Sequence, residues 1–128
     1  MRKILLVLAL LLLCHPAMAQ VVGNPVISQQ TSVAASTLTA KTSLGYLYSL
    51  TGQSGTAGYI LVFDAAAAPS NGTVTPRFCF AVTAGGNYAQ AWTEYPVPFA
   101  NGIIIMYSTT GCYTLTASTT AFLSAQVR

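Results

Sequence analysis

The chain has 128 residues, of which 53% are hydrophobic and 5% are charged, and its formal net charge is +3. A typical soluble domain is about a quarter charged residues, so the surface must be covered by uncharged polar groups or by another subunit. The few scattered cations disfavour nucleic-acid binding, because they form no basic patch that could follow a phosphate backbone.

The first predicted element is a secretory signal over residues 1–19. Arg2 and Lys3 precede an apolar run that ends at Cys14, and an Ala-Met-Ala cleavage site follows. As a helix, the run spans only about half of a bilayer's hydrocarbon core. We therefore expect a helical signal peptide that is cleaved before Gln20, with an uncleaved anchor as the alternative. The product would be exported to the periplasm, the cell surface or the medium, with no membrane segment.

Cleavage would leave little catalytic chemistry in the exported chain. It removes His15, the one histidine, and the charged side chains that remain are Lys41, Arg77, Arg128, Asp64 and Glu94. Without histidine, neither a Ser-His-Asp group nor a His-based metal site can form. A glycosidase-like pair would need Asp64 and Glu94, which instead suit a strand-end turn and a proline-rich loop. We expect no enzymatic activity, no catalytic residue, no metal and no cofactor.

Cys79 and Cys112 are the two cysteines of the exported chain. An even pair in a small domain that enters an oxidising compartment favours one disulfide. Closing this loop would stabilise the fold by roughly 3–4 kcal/mol in the chain-entropy model. Two buried free thiols are the alternative.

Residues 20–43 are rich in Ser, Thr, Ala and Gln, and predict an extended arm or a pair of weak edge strands. From residue 44 onward, short β-branched and aromatic runs recur between clusters of Gly, Pro and Asn, one of which predicts a turn at 51–55. The predicted strands are 44–50, 59–63, 77–82, 89–93, 102–107, 112–116 and 121–125. This pattern predicts an all-β domain over 44–128, a single antiparallel β-sandwich or small barrel of about seven or eight short strands.

Two of the predicted strands contain runs, 59–63 and 103–107, that are apolar on both faces and contain no charge. Such strands are covered on each side within the domain, by loops and the N-terminal arm, or they are covered by a neighbouring subunit. Uncharged apolar strands also promote association. We therefore expect self-association or contact with another protein surface.

Three aromatic residues near predicted loops, Tyr88, Trp92 and Tyr95, are the candidate binding residues. Exposed rings anchor protein contacts and stack on sugars. A carbohydrate- or ligand-binding module, with a glycan as ligand, is therefore the alternative to a purely structural role.

Several segments share a pattern in which Gly and Pro turns separate strands. They are Gly-Tyr-Leu-Tyr at 45–48, the run 56–64, Ala-Pro at 68–69 with 71–76, and 108–113 continuing through 120–122. Over residues 45–125 this pattern resembles a group of small uncharacterised virion-associated proteins of tailed bacteriophages and prophages. The resemblance implies a structural module, virion-associated or accessory, that assembles by repeated subunit contacts. The sequence thus predicts an exported, non-enzymatic structural or surface-interaction domain.

Overall fold

The computed structural model describes residues 25–128, so the predicted signal peptide and cleavage site lie outside the described residues. Within this range the chain forms eleven strands and no helix. In chain order they are β1 (Ile27–Gln30), β2 (Thr37–Lys41), β3 (Gly45–Ser54), β4 (Gly58–Asp64), β5 (Gly72–Thr73), β6 (Phe78–Val82), β7 (Asn87–Ala91), β8 (Val97–Phe99), β9 (Ile103–Ser108), β10 (Thr114–Leu115) and β11 (Ala121–Val127). Among residues 25–128, no helix has the length and apolar character that crossing a bilayer requires.

Two antiparallel sheets pack face to face, which confirms the predicted all-β sandwich. The first sheet has the order β1-β11-β3-β7, and β8 pairs with the other end of β3 as its fifth strand. The second sheet has the order β2-β9-β4-β6. Because side chains alternate along a strand, Leu50 and Leu123 of the first sheet meet Ile60 and Ile105 of the second in a shared core. β1 and β2 are edge strands, so residues 27–41 belong to the sandwich.

A second apolar core explains why β4 and β9 are buried on both faces. Its buried members are side chains of these two strands that point away from the first sheet, together with two from the chain above them: Leu61, Phe63, Ile104, Met106, Val74 and Leu115. Residues 65–76 and 109–117, which we call the cover, contain the small β5–β10 sheet and lie over this core. The two apolar strands are thus covered from within the chain by these loops, and residues 25–43 contribute no member to the second core.

The predicted disulfide is present between Cys79 and Cys112, whose Cα atoms are 5.6 Å apart. Cys79 lies on β6, on the face opposite Phe78 and Phe80, and packs against the second core. Cys112 lies in the cover. The bond therefore fastens the cover to the edge of the second sheet.

The turn predicted at 51–55 is wrong, because β3 continues through Gly52 as far as Ser54. Gly52 lies opposite Tyr88 of β7. A Cβ atom at this position would collide with the Tyr88 ring and with the carbonyl oxygen of Phe122. The glycine therefore permits close packing inside a strand and does not mark a turn.

The strand predicted at 112–116 is also largely wrong, since only Thr114 and Leu115 pair, and they pair with β5 in the cover. The strand predicted at 89–93 is displaced and runs over Asn87–Ala91. β5 and β8 are missing from the prediction because strands of two or three residues are too short to show an alternating pattern.

Candidate interaction surfaces

The outer face of the five-stranded sheet has no charged side chain where β1, β11, β3 and β7 pair. Leu50 and Leu123 point into the core, so their immediate neighbours along each strand point outward. Row by row across the sheet, the outward residues are Gln30-Ser124-Thr51-Ala89, Ser28-Gln126-Ser49-Ala91 and Phe122-Gln53-Asn87. We call this surface the uncharged face.

The uncharged face consists of small or amide side chains, and Phe122, 47% exposed, is its one large apolar residue. Proteins commonly protect exposed sheet surface from association by placing charged side chains on it, and this face has none. A second surface laid on it would bury hydroxyl and amide groups, which can pair with one another, but no ion. The face is therefore chemically suited to being covered.

None of the charged side chains of the described residues belongs to these three rows, and Arg128, which follows the inward-pointing Val127, borders the face at the end of β11. The charged side chains are Lys41 at the end of β2, Asp64 at the end of β4, Arg77 before β6, Glu94 between β7 and β8, and Arg128 after β11. The outer face of β4 and β9 in the second sheet lies under the cover. Within residues 25–128, the uncharged face is thus the broad sheet surface that stays open.

Trp92, one of the three predicted binding residues, lies half-buried directly after β7 and packs against the main core. Its ring stacks on Phe78, with centroids 5.5 Å apart, and lies 6.3 Å from Phe80. Its backbone N–H donates to the carbonyl oxygen of Tyr48 at 2.7 Å. Much of this ring therefore serves packing between the two sheets.

Tyr88 and Tyr95, the other two, have opposite surroundings. The Tyr88 ring packs against the main core, its hydroxyl donates to the Phe122 carbonyl oxygen at 3.0 Å, and burial raises its pKa. Tyr95 is 85% exposed. It lines a shallow cleft of about 370 Å³ together with Trp92 and Glu94. The structure thus brings Trp92 and Tyr95 together and places Tyr88 elsewhere.

Asp64 has the strand-end role that the sequence predicts. Its carboxylate accepts the backbone N–H of Asn101 at 2.7 Å and that of Ala100 at 3.1 Å. Arg77 lies 3.7 Å from the same carboxylate, and its guanidinium stands 4.7 Å from the centre of the Phe99 ring. Because Arg77 also donates to the carbonyl oxygen of Pro98, it links the second sheet to β8 of the first.

Two clefts, of about 520 Å³ and about 300 Å³, flank this ion pair and share Asp64 and Arg77. Both side chains are already engaged in holding the end of the sandwich, so the pair is structural. Glu94 lines only the separate cleft with Trp92. Asp64 and Glu94 thus line different clefts. Within the described residues no group of three His, Cys, Asp or Glu could hold a metal. The absence of enzymatic activity stays a prediction.

Asp64 is expected to make stability depend on pH. Hydrogen bonds from the backbone N–H groups of Asn101 and Ala100 lower the pKa of its carboxyl group, and Arg77 adds a smaller effect. A lowered folded-state pKa contributes stability that is present above the ordinary value of 3.8. That stability is lost as pH falls through the folded-state value. In urea unfolding at pH 7 and at pH 2.5, Asp64→Asn should lose less stability on acidification than the parent protein.

The matched control is Glu94→Gln, which changes the other acidic side chain of the described residues and should leave the parent's acid sensitivity in place. Equal acid sensitivity in Asp64→Asn and the parent would show that this carboxylate contributes nothing to the pH dependence of stability.

Comparison of the chain with protein-family models, curated proteins and solved structures finds no significant match. The resemblance to phage proteins therefore stays a prediction.

Proposed function

We propose that the protein is an exported, non-enzymatic structural domain that acts by surface association, principally with copies of itself, through the uncharged face. The single observation that carries the proposal is the composition of that face: three cross-strand rows of Ser, Thr, Gln, Asn and Ala with one exposed Phe122. Association of such faces buries sheet surface without burying an unpaired charge.

The charge distribution supports self-association in particular. Two copies bring identical faces together in a symmetric contact, and like charges on those faces would repel. Here the charged side chains lie at the strand ends and in loops. The low overall charge also gives little repulsion between whole molecules.

Export is supported by the signal-like residues 1–19 and by the Cys79–Cys112 disulfide, a bond that forms mainly in oxidising compartments. The periplasm, the cell surface and the medium all meet this condition. Repeated subunit contacts are also what the resemblance to virion-associated phage proteins implies. A phage or prophage origin is part of the proposal only because these phage proteins are expected to assemble through the same kind of contact.

A lysine at the centre of the uncharged face should weaken self-association. Thr51 lies on β3 between Ser124 and Ala89, so Thr51→Lys would place an ammonium group in the contact. An unpaired buried charge costs several kcal/mol, and about 1.4 kcal/mol already changes an association constant tenfold. Sedimentation velocity on residues 20–128 should show association at least tenfold weaker than in the parent.

Thr39→Lys is the matched control, because Thr39 is an exposed strand threonine on β2, outside the uncharged face. It should associate as the parent does. The face proposal fails if Thr51→Lys associates as strongly as Thr39→Lys.

The alternative function, a carbohydrate- or ligand-binding module, has less geometric support. Of the three predicted rings, Tyr95 is exposed, Trp92 is half covered by Phe78, and Tyr88 packs inward. The cleft between Trp92 and Tyr95 is the place where a glycan would stack. That function stays a prediction.

A further inference from the structure

The five-stranded sheet ends at β1, whose outer edge pairs with no strand of residues 25–128. Thr31 donates its backbone N–H to the Leu123 carbonyl oxygen at 2.9 Å, so the backbone hydrogen-bonding groups of Thr31 point toward β11. In an antiparallel ladder alternate residues face the same neighbour. The N–H and C=O groups of Ile27 and Gln29 therefore also point toward β11. Those of Ser28 and Gln30 point away from β11, toward the open edge.

The other three edges of the two large sheets carry features that discourage strand addition. β2 ends in Lys41 and contains a register shift. β6 follows the ion-paired Arg77. The edge opposite β1 is divided between two short strands, β7 and β8, and Pro98 in β8 has no N–H to donate. Charges, bulges and prolines at edges prevent unwanted pairing; β1 itself contains none of them, and Pro25 lies two residues before it.

Exposed apolar side chains also gather along this edge. Val26 and Ile27 are each 44% exposed, and Val33, just beyond β1, is 66% exposed. No charged residue occurs between residue 25 and Lys41. An edge with open hydrogen-bonding groups, apolar side chains and no charge is complementary to itself, because two such edges can meet without opposing like charges.

We propose that β1 pairs antiparallel with β1 of a second copy across a two-fold axis, joining two five-stranded sheets into one continuous sheet. The open groups of Ser28 in each copy then exchange two hydrogen bonds with those of Gln30 in the other, and Gln29 lies opposite its own counterpart. This contact is additional to the face contact of the proposed function. Together the two contacts build assemblies larger than a dimer.

Proline at position 28 removes an outward N–H and leaves the hydrogen bonds to β11 intact, because Ser28 faces away from β11. Ser28→Pro should weaken the edge contact at least tenfold and stop assembly at a dimer joined by the face. Ser28→Ala, which keeps the N–H, should assemble as the parent does. If Ser28→Pro assembles as fully as Ser28→Ala in sedimentation velocity, the proposed edge contact is wrong.

A cysteine pair tests the same contact without relying on proline. Gln29→Cys places two thiols at a directly opposed, closely spaced position where a disulfide can form. It should give a covalent dimer on non-reducing electrophoresis after mild oxidation. Gln30→Cys is the control, because its counterpart is displaced along the strand and should cross-link at least tenfold more slowly. Equal cross-linking of both variants, or none by Gln29→Cys, overturns the proposed register.

These results separate the two proposals. Thr51→Lys should remove the face contact and keep the Gln29→Cys cross-link. Loss of association in Thr51→Lys with no cross-link at Gln29→Cys would support the face and reject the edge. A cross-link with unchanged association in Thr51→Lys would do the reverse.

Discussion

Replacing Cys79 and Cys112 by serine is expected to lower the free energy of unfolding by about 3–4 kcal/mol, because the bond closes a long loop of the unfolded chain. The effect should also be local. The bond fastens the cover over the second core, so its loss should let the cover open before the main core unfolds. Urea unfolding followed by Trp92 fluorescence reports the main core, against which Trp92 packs.

Met106 gives a direct readout of the cover. It is the one methionine of residues 20–128 and is buried in the second core. Peroxide oxidation, followed by mass spectrometry, should reach Met106 faster in Cys79→Ser/Cys112→Ser than in the parent below the unfolding transition. Equal oxidation rates would show that other contacts hold the cover without the disulfide. The hydrogen bonds that the Ser108 hydroxyl group makes with Thr114 and Thr116 are the strongest such candidates.

Gly58→Ala is expected to destabilise the domain by about 1–3 kcal/mol, the usual cost of overpacking. A Cβ at Gly58 would lie 2.5 Å from the Tyr107 hydroxyl oxygen and 2.5 Å from the Ser108 carbonyl oxygen. Tyr107 is fully buried, and its hydroxyl group donates to the Thr56 carbonyl oxygen at 2.7 Å. Relief of the clash would therefore disturb the β3–β4 turn as well as the core.

Thermal and urea unfolding of Gly58→Ala should be compared with those of Gly111→Ala. A Cβ at Gly111 would meet nothing within 4 Å, so this control carries the same chemical change without a clash. If both variants have the parent's stability, the close passage of Tyr107 over Gly58 is not a constraint on the fold.

Much of the fold can be predicted from local sequence patterns, and the errors of that prediction also have local causes. The strand predicted at 121–125 and the unbroken apolar runs ending at Phe63 and Tyr107 correspond to the central strands β11, β4 and β9. Gly52 leads to a wrongly predicted turn, because glycine occurs both in turns and where two segments pack closely. Only the position of the Tyr88 ring shows that Gly52 belongs to the second case. The cover could not be predicted from the sequence for a different reason, because β5 and β10 are too short to show an alternating pattern.

The candidate surfaces were less predictable than the strands. The sequence selects Trp92 for its loop-like surroundings, but stacking on Phe78 and Phe80 depends on which strands face each other across the sandwich. The uncharged face is likewise a product of register, since its residues come from four strands far apart in the chain. The low charge of the whole sequence was the available signal, and it could not say which surface would be free of charge.

Self-association through uncharged surface is the central claim, and its salt dependence tests that claim most directly. Contacts made by charges weaken as salt screens them, whereas hydrogen-bonded and apolar contacts do not. Sedimentation velocity on residues 20–128 should therefore show reversible association that grows with protein concentration and persists from about 0.05 M to about 1 M NaCl. A protein that stays monomeric at millimolar concentration, or an association that is abolished by about 1 M NaCl, would contradict the account.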